Sequence, residues 1–415
     1  MKTSTLALIT IAAAIPFAAA DIIVPGADGS DGVLNITEDT TIDLSEAITA
    51  AWDTGNGANA GKGVYDSEKW AVVFKYSSVT VAEGATLRFA NHPSKAPVVW
   101  LVSGDVTIAG SVNLNGQNLR NAPNLAKPGP GGFRGASGYF SQGVADGAGF
   151  GPGGGFIDAR GGRYGTGIET YGNPSLVPLI GGSGGSGQRN RTSYARHFGG
   201  GAGGGAILIA SVGTLNVTGT IVADGGSGGD YLGGERTGGG SGGGIRIVCD
   251  SLVGTGSVLT RGGAGGRFYE AGVGRVRIER ASNENAITVV PDPSVIPLAD
   301  GATALLWPPS TAPEVKIVSI GGGTVPADPR ASFGTAGPDV ALPETNSTQV
   351  IVETTNVEQA SQVKVRVTPR DTTNPSIIDA TVDTVVSTSP LVIRWTADLP
   401  VKIGYSAVQV RVIRP

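Results

Sequence analysis

Three segments of this chain repeat one pattern of short strands and glycine, and this repetition limits the fold more than any other feature. The segments are 100–116, 207–225 and 245–262. Each has a strand, a polar turn, a Gly-Ser or Gly-Thr step and a second strand that ends at glycine. The glycines of the last two steps, Gly219 and Gly256, have a spacing within the roughly 20 to 50 residues that is typical of stacked repeats.

Side chains within these strands alternate with the period of two that a half-buried β-strand requires. Ile245 and Ile247 point to one face, and Arg246 points to the other. Such an apolar stripe can be buried only against the next repeat, so the sequence predicts a parallel β-helix, in which crossover chirality favours a right-handed coil. A series of β-sandwiches is the alternative, but the repeats lack the regular two-residue hairpin turns of that fold.

A glycine-rich insert, residues 117–205, separates the first repeat from the second. Glycine accounts for 68 of the 415 residues, about twice its average usage of roughly 7%. The insert has no Gly-X-Y period, which excludes collagen. Its runs of residues without side chains allow backbones to approach as closely as in polyproline II bundles. Aromatic and aliphatic side chains recur among the glycines, which favours ordered loops over a flexible linker.

Composition divides the chain into four predicted parts. Residues 1–20 have the positive start, apolar centre and small-residue end of a secretory signal peptide, so we expect export. The β-solenoid with its insert is expected over 21–290, and a proline-rich linker over 291–313. Alternating strands with little glycine follow in 314–415 and predict an Ig-like or fibronectin-like β-sandwich. The predicted fold class is therefore all-β.

Charge and ligand-type residues exclude several classes of function. The formal net charge of −4 argues against nucleic acid as a partner. No later apolar run reaches the roughly 18 residues of a transmembrane helix. Cys249 is the only cysteine, so no disulfide forms within the chain, and with only two histidines no metal-ligand set is evident. We expect no metal and no cofactor.

The insert also holds the side chains that we propose as a ligand-binding surface. Flat aromatic rings beside hydrogen-bond donors suit sugar rings or polymer chains. The candidate residues are Arg160, Arg163, Tyr164, Tyr171, Tyr194, Arg196 and His197. The alternative interpretation is that the aromatic rings hold the insert on the solenoid, and the sequence leaves both open.

A polysaccharide lyase or glycoside hydrolase is the enzymatic alternative, because β-helices serve as scaffolds for both. A lyase needs a base for a proton next to a carboxyl group, and a hydrolase needs two carboxylates roughly 5 to 10 Å apart. The charged residues of the insert are isolated among glycines and form no such group. We therefore assign no catalytic residue, and a protein without enzymatic activity is favoured.

Four segments together carry a resemblance to a known kind of protein. They are VVWLVSGDVTIAG, GGGAGGGAILIAS, GGGSGGGIRIV and GVGRVRIERA. The pattern, over about residues 76–281, resembles the glycine-rich repeat of exported and mostly uncharacterised bacterial proteins. The resemblance implies a secreted or cell-surface solenoid and supplies no catalytic residues. We expect a structural or adhesin-like protein that presents glycine-rich loops on the cell surface or in the extracellular matrix. Its expected partner is an extracellular polysaccharide or a cell-envelope component.

Overall fold

The fold of the chain is all-β, as predicted. A computed structural model describes residues 21–56, 61–119, 126–136, 149–154, 171–187, 199–229, 237–265, 271–325, 338–343, 347–369, 376–401, 404 and 406–415. Within these ranges the chain forms β-strands in three sheets, one short 3-10 turn at Leu44–Glu46 and no α-helix. None of the described residues belongs to a helix with the length and hydropathy needed to cross a membrane.

The largest sheet has ten strands. They are β1 (Gly32–Ile36), β3 (Ile48–Thr49), β4 (Val64–Asp66), β5 (Ala71–Val81), β7 (Val98–Val102), β8 (Val106–Ile108), β10 (Ala206–Val217), β12 (Gly244–Gly254), β14 (Arg275–Asn285) and β16 (Ser294–Pro297). The order along the sheet is β16-β14-β12-β10-β7-β5-β4-β3, with β1 paired to β5, and β8 paired to both β5 and β10. Its pairings are parallel except that of β4 with β5. Parallel neighbours need long crossover connections. The connections between successive long strands each contain a strand of a second sheet; for example, β11 (Thr220–Val222) lies between β10 and β12.

The second sheet has six short strands, all paired in parallel. They are β2 (Thr40–Asp43), β6 (Thr86–Ala90), β9 (Ser111–Asn113), β11 (Thr220–Val222), β13 (Ser257–Leu259) and β15 (Thr288–Val290), in the order β15-β13-β11-β9-β6-β2. Corresponding positions of the sequence repeats lie side by side: Ile207 pairs with Ile245 in the first sheet, and Ile221 with Val258 in the second. The repeated strands therefore share two continuous ladders.

Strands at the centre of the first sheet are buried on both faces. Inward side chains such as Trp100 and Ile209 join the side chains of the second sheet in one core. Outward side chains such as Leu101 and Leu208 form another core with apolar residues of 22–24 and 304–307. The alternation of side chains predicted strands buried on one face only. That prediction is wrong for this sheet, whose central strands are buried on both faces. Runs such as VVWLV are the near-continuous apolar strands of a sheet that is covered on both sides.

Part of the segment predicted as a linker, 291–313, is built into this outer core. Ser294–Pro297 pairs with β14 as β16, and Thr303 forms a parallel bridge with Ile23. Leu306 is buried and packs in the outer cluster. The physical reason is that this segment covers the outward apolar side chains of the first sheet, and removing them from water lowers the free energy of the folded chain.

The third sheet is antiparallel and lies wholly within residues 314–415. Its strands are β17 (Glu314–Ile320), β18 (Gly323–Thr324), β19 (Ser347–Thr355), β20 (Gln362–Pro369), β21 (Ser376–Thr388), β22 (Leu391–Pro400) and β23 (Ser406–Ile413), in the order β18-β17-β19-β22-β21-β20-β23. Alternate residues such as Val350, Val352 and Val365 are buried in one core. Trp395 lies in the same core, and its indole Nε1 donates a 2.9 Å hydrogen bond to Thr354 Oγ1. The alternating pattern of the sequence is here the pattern of burial.

Candidate functional site

Of the seven proposed ligand-binding residues, Tyr171 lies within the described part of the chain. The other six, Arg160, Arg163, Tyr164, Tyr194, Arg196 and His197, lie outside the described residues. The structure describes the glycine-rich segments that flank these six residues in the chain, 149–154, 171–187 and 199–205.

Glycine-rich segments lie side by side where the chain passes between the two parallel sheets. They are 114–119, 126–136, 149–154, 181–187, 199–205, 223–229, 237–243, 260–265 and 271–274, which we call the glycine bundle. Outgoing segments follow the second sheet at β9, β11 and β13, and returning segments enter the first sheet at β10, β12 and β14. None of the residues in these segments is in a strand or an α-helix. The bundle is held instead by backbone hydrogen bonds between segments.

Hydrogen bonds in the bundle repeat every three residues, as segment 200–205 illustrates. Gly200 and Gly203 donate to the carbonyls of Ala136 and Phe133, at 2.9 Å each; Gly201 and Gly204 donate to Gly238 and Ser241; Ala202 and Gly205 donate to Gln117 and Leu114. The six N–H groups thus point in turn at three neighbouring segments. Three residues per turn without internal hydrogen bonds is the geometry of a polyproline II helix, so the segment is the centre of a small bundle of such helices.

Close contact between segments explains why the bundle is made of glycine. A Cβ added to Gly203 would lie 1.8 Å from the carbonyl oxygen of Gly182, and one added to Gly243 would lie 1.8 Å from that of Gly205. Real Cβ atoms essentially never come this close to backbone. Ala202 is tolerated because its methyl group packs with Leu119 and Ala126 in a small apolar cluster.

One end of the bundle lies away from the sheets and gathers the starts and ends of several chain connections. The near end is marked by the 2.7 Å bond from Gly205 N to Leu114 O, next to the start of β10 and the end of β9. The opposite end, which we call the far end, contains Leu119, Ala136, Gly187, Gly199, Gly229, Thr237 and Ala264. Connections 120–125, 137–148, 188–198, 230–236 and 266–270 leave from and return to residues at or next to this far end.

Thr237 ties several segments together at the far end. It is fully buried, its hydroxyl donates a 2.6 Å hydrogen bond to Gly199 O, and the same oxygen accepts from Gly229 N at 2.8 Å. Gly228 N bonds Ala264 O at 3.0 Å in the same layer. The residues that flank three connections are therefore held in fixed relative positions, which is what a rigid platform for binding loops requires.

Tyr171 attaches the start of the described 171–187 segment to the bundle. Its hydroxyl donates a 2.8 Å hydrogen bond to Gly181 O and accepts one from Ser183 Oγ at 3.0 Å. Its ring packs on Gly153, where an added Cβ would lie 2.9 Å from the ring. Burial raises the pKa of the Tyr171 phenol. The polar group of this tyrosine is used within the protein, which favours the anchoring interpretation for this residue.

A polar ladder on the outside of the bundle has no counterpart in our sequence predictions. Asn115 Oδ1 accepts from Asp224 N, and Asp224 Oδ1 accepts from Arg261 N, both at 2.7 Å. Arg261 also forms an ion pair with Asp224, 2.6 Å between Nη2 and Oδ2, which raises the pKa of Arg261. The three residues are equivalent positions of successive repeats, each two residues after the end of β9, β11 or β13, and aligning the repeats by these strands would have revealed them.

The side chains described at this site form hydrogen bonds within the protein. No group of three or more His, Cys, Asp and Glu side chains is placed to hold a metal ion in the described ranges. The Ser183 hydroxyl donates to the Tyr171 hydroxyl and accepts from Gly153 N, at 3.0 Å each, so its hydrogen bonds are made within the protein. Comparison with protein-family models, with curated proteins and with solved structures finds no match for this chain.

Proposed function

We propose that this chain is an exported, adhesin-like or structural protein in which a parallel β-helix carries the glycine bundle, and the far end of the bundle presents loops for binding an extracellular polysaccharide. In this proposal the two parallel sheets are faces of one right-handed solenoid of the glycine-rich bacterial repeat type. The third sheet is an Ig-like sandwich that follows it. The protein acts at the cell surface or in the extracellular matrix, without enzymatic turnover.

The observation that carries the proposal is the layer of hydrogen bonds at the far end of the bundle. Several connections begin and end there among buried, mutually bonded residues such as Gly199, Gly229 and Thr237. A bundle without side chains is costly to build from a flexible chain, since glycine loses more conformational entropy on folding than any other residue. Rigid support for variable loops is a common reason for such a framework.

Connection 188–198 is the part of this surface that we assign to recognition. It contains Tyr194, Arg196 and His197, whose ring faces and donors suit a sugar polymer. Its flanking segments are fixed by the bond from Gly185 N to Gly201 O, 2.9 Å. Tyr171, in contrast, is assigned to anchoring.

The test is a binding screen with the full chain against neutral and acidic polysaccharides, read by immobilised-glycan binding. The first variant replaces 188–198 by a short Gly-Ser link, and the second is Arg196→Ala. We expect the first to lose binding and the second to weaken it about tenfold or more, in line with an arginine that contacts ligand. Arg88→Ala is the matched control, because Arg88 is exposed on the second sheet and forms an ion pair with Asp39.

Two results would contradict the proposal. Unchanged binding after replacement of 188–198 would remove that connection from the recognition surface. New reducing ends or unsaturated sugars formed during incubation with the same polysaccharides would show that the protein is a hydrolase or lyase.

A further inference from the structure

A cluster of buried charges lies on the outer face of the first sheet, away from the glycine bundle. Arg246 on β12 and Arg277 on β14 are direct neighbours in the parallel ladder. Both guanidinium groups bond the same oxygen of Glu279: Arg246 Nε at 3.0 Å, Arg246 Nη2 at 2.9 Å and Arg277 Nε at 3.1 Å. Arg246 Nη2 also donates to Leu305 O at 2.7 Å. Residues 304–307, which we call the covering segment, therefore lie over the cluster.

The cluster contains more positive than negative charge. Two guanidinium groups share one carboxylate, which leaves one net positive charge among three side chains that are 2%, 14% and 9% exposed for Arg246, Arg277 and Glu279. Burial lowers the pKa of Arg246 and the charge of Arg277 lowers it further, while Glu279 opposes both. A charge held away from water is costly unless an opposite charge compensates it.

One hydrogen-bond donor of the cluster is also unused among the described residues. Arg246 Nη1 is buried and has no hydrogen-bond partner there, although Nε and Nη2 of the same group are bonded. A guanidinium group carries five N–H donors in a fixed plane, and a buried charged donor without an acceptor is unfavourable because its hydrogen bonds to water are lost and not replaced. The missing partner is therefore an acceptor, and the excess charge indicates that it is negative.

We propose that this cluster binds one small monovalent anion of about the size of chloride, held by Arg246 Nη1 beside Arg277. One negative charge neutralises the excess of one positive charge. The anion is small because Arg246 is 1% exposed and lies beneath Leu305; a polymer carboxylate does not reach it. The anion fastens the covering segment to the sheet, because the same guanidinium group bonds the carbonyl of Leu305.

The experiment compares thermal unfolding in sodium chloride and in sodium gluconate at constant ionic strength, which separates binding from general screening. Gluconate is too large for the buried cluster. We expect the midpoint to rise by about 2–4 °C with chloride and then to saturate, as for a ligand that binds only the folded state. Arg246→Met should abolish the chloride dependence, whereas Arg261→Met, which removes an exposed and paired arginine, should keep it.

A second variant and a direct observation keep the proposal testable if Arg246→Met does not fold. Glu279→Gln raises the excess charge, so it should reach half of its stabilisation at a lower chloride concentration than the unchanged protein. Crystals grown in sodium bromide should show an anomalous peak within hydrogen-bond distance of Arg246 Nη1. Equal midpoints in chloride and gluconate, a chloride effect that survives Arg246→Met, or no bromide at this position would each overturn the proposal.

Discussion

Individual glycines in this protein differ sharply in what surrounds them. Gly203 and Gly243 touch carbonyl groups of neighbouring segments, whereas Gly272 and Gly55 have open space where a side chain would be. At Gly203 and Gly243 the absence of Cβ allows two backbones to touch. At Gly272 and Gly55 no neighbour comes close enough for a Cβ to matter. The importance of a glycine is therefore set by its neighbours in space and not by its place in a glycine-rich run.

Gly203→Ala is predicted to destabilise the protein by about 2–4 kcal/mol, because the new methyl group would meet backbone that cannot move aside without breaking the bundle. Gly272→Ala is the matched control. It has nothing within 4 Å of the added Cβ, so we expect a change within about 1 kcal/mol. Urea unfolding followed by circular dichroism measures both. Equal stability of the two variants would mean that the segments are not packed as described.

The glycine segments are ordered structural elements only when several of them pack together. A polyproline II helix has no hydrogen bonds of its own, so segment 200–205 is stable only through the three neighbours that accept its N–H groups. Two of those neighbours, 129–136 and 114–117, precede it in the chain, and the third, 237–243, belongs to the following repeat. The insert predicted at 117–205 is thus structurally continuous with the repeats on both sides.

Deletion of 117–205 is therefore predicted to loosen residues that the deletion leaves in place. Gly226 N donates to Ala202 O at 2.7 Å, and Ser241 N donates to Ser183 O at 2.8 Å; both acceptors would be lost. We expect amide hydrogen exchange in 223–229 and 237–243 to become at least about tenfold faster. Peptides from β22 in the third sheet serve as the internal reference. Unchanged exchange in 223–243 would show that the repeats hold their glycine segments without the insert.

At the scale of the whole molecule, Arg366 connects the third sheet to the glycine bundle. Arg366 on β20 donates to Gly154 O at 2.9 Å and to Pro152 O at 3.4 Å, and burial lowers the pKa of Arg366. A guanidinium group suits this contact because its fork of donors reaches two carbonyl oxygens at once. The two parts of the molecule are therefore joined by this contact as well as by the covalent connection between them.

Arg366→Ala is predicted to free the third sheet from the bundle without unfolding either part. Hydrogen exchange at 149–154 should rise, and the radius of gyration from small-angle X-ray scattering should increase. Lys364→Ala is the control on the same strand, because Lys364 forms a surface pair with Asp379 and should change neither quantity. An identical effect of the two substitutions would contradict a specific role of Arg366.

Pattern alone predicted the repeated strands of the parallel sheets and the alternating burial of the third sheet, but it did not predict β16, which lies in the segment expected to be a linker. Alternation in 314–415 predicted the buried valines of the third sheet, and the repeated Gly-Ser and Gly-Thr steps predicted which strands are equivalent. These are local properties, since the period of side chains along a strand follows from the backbone itself. The same pattern failed for Arg246, because burial of the outward face depends on residues 304–307, far away in the chain.

The sequence by itself determined that this chain is all-β, that its repeats have equivalent strands, and that its glycines permit close backbone contact. Tertiary structure alone decided which segments make that contact, that the far end of the bundle gathers several connections, and that Arg246 and Glu279 share a buried cluster. The physical reason is that a glycine has no side chain to reveal its partner. Its hydrogen bonds are directed by neighbours that come together only when the chain has folded.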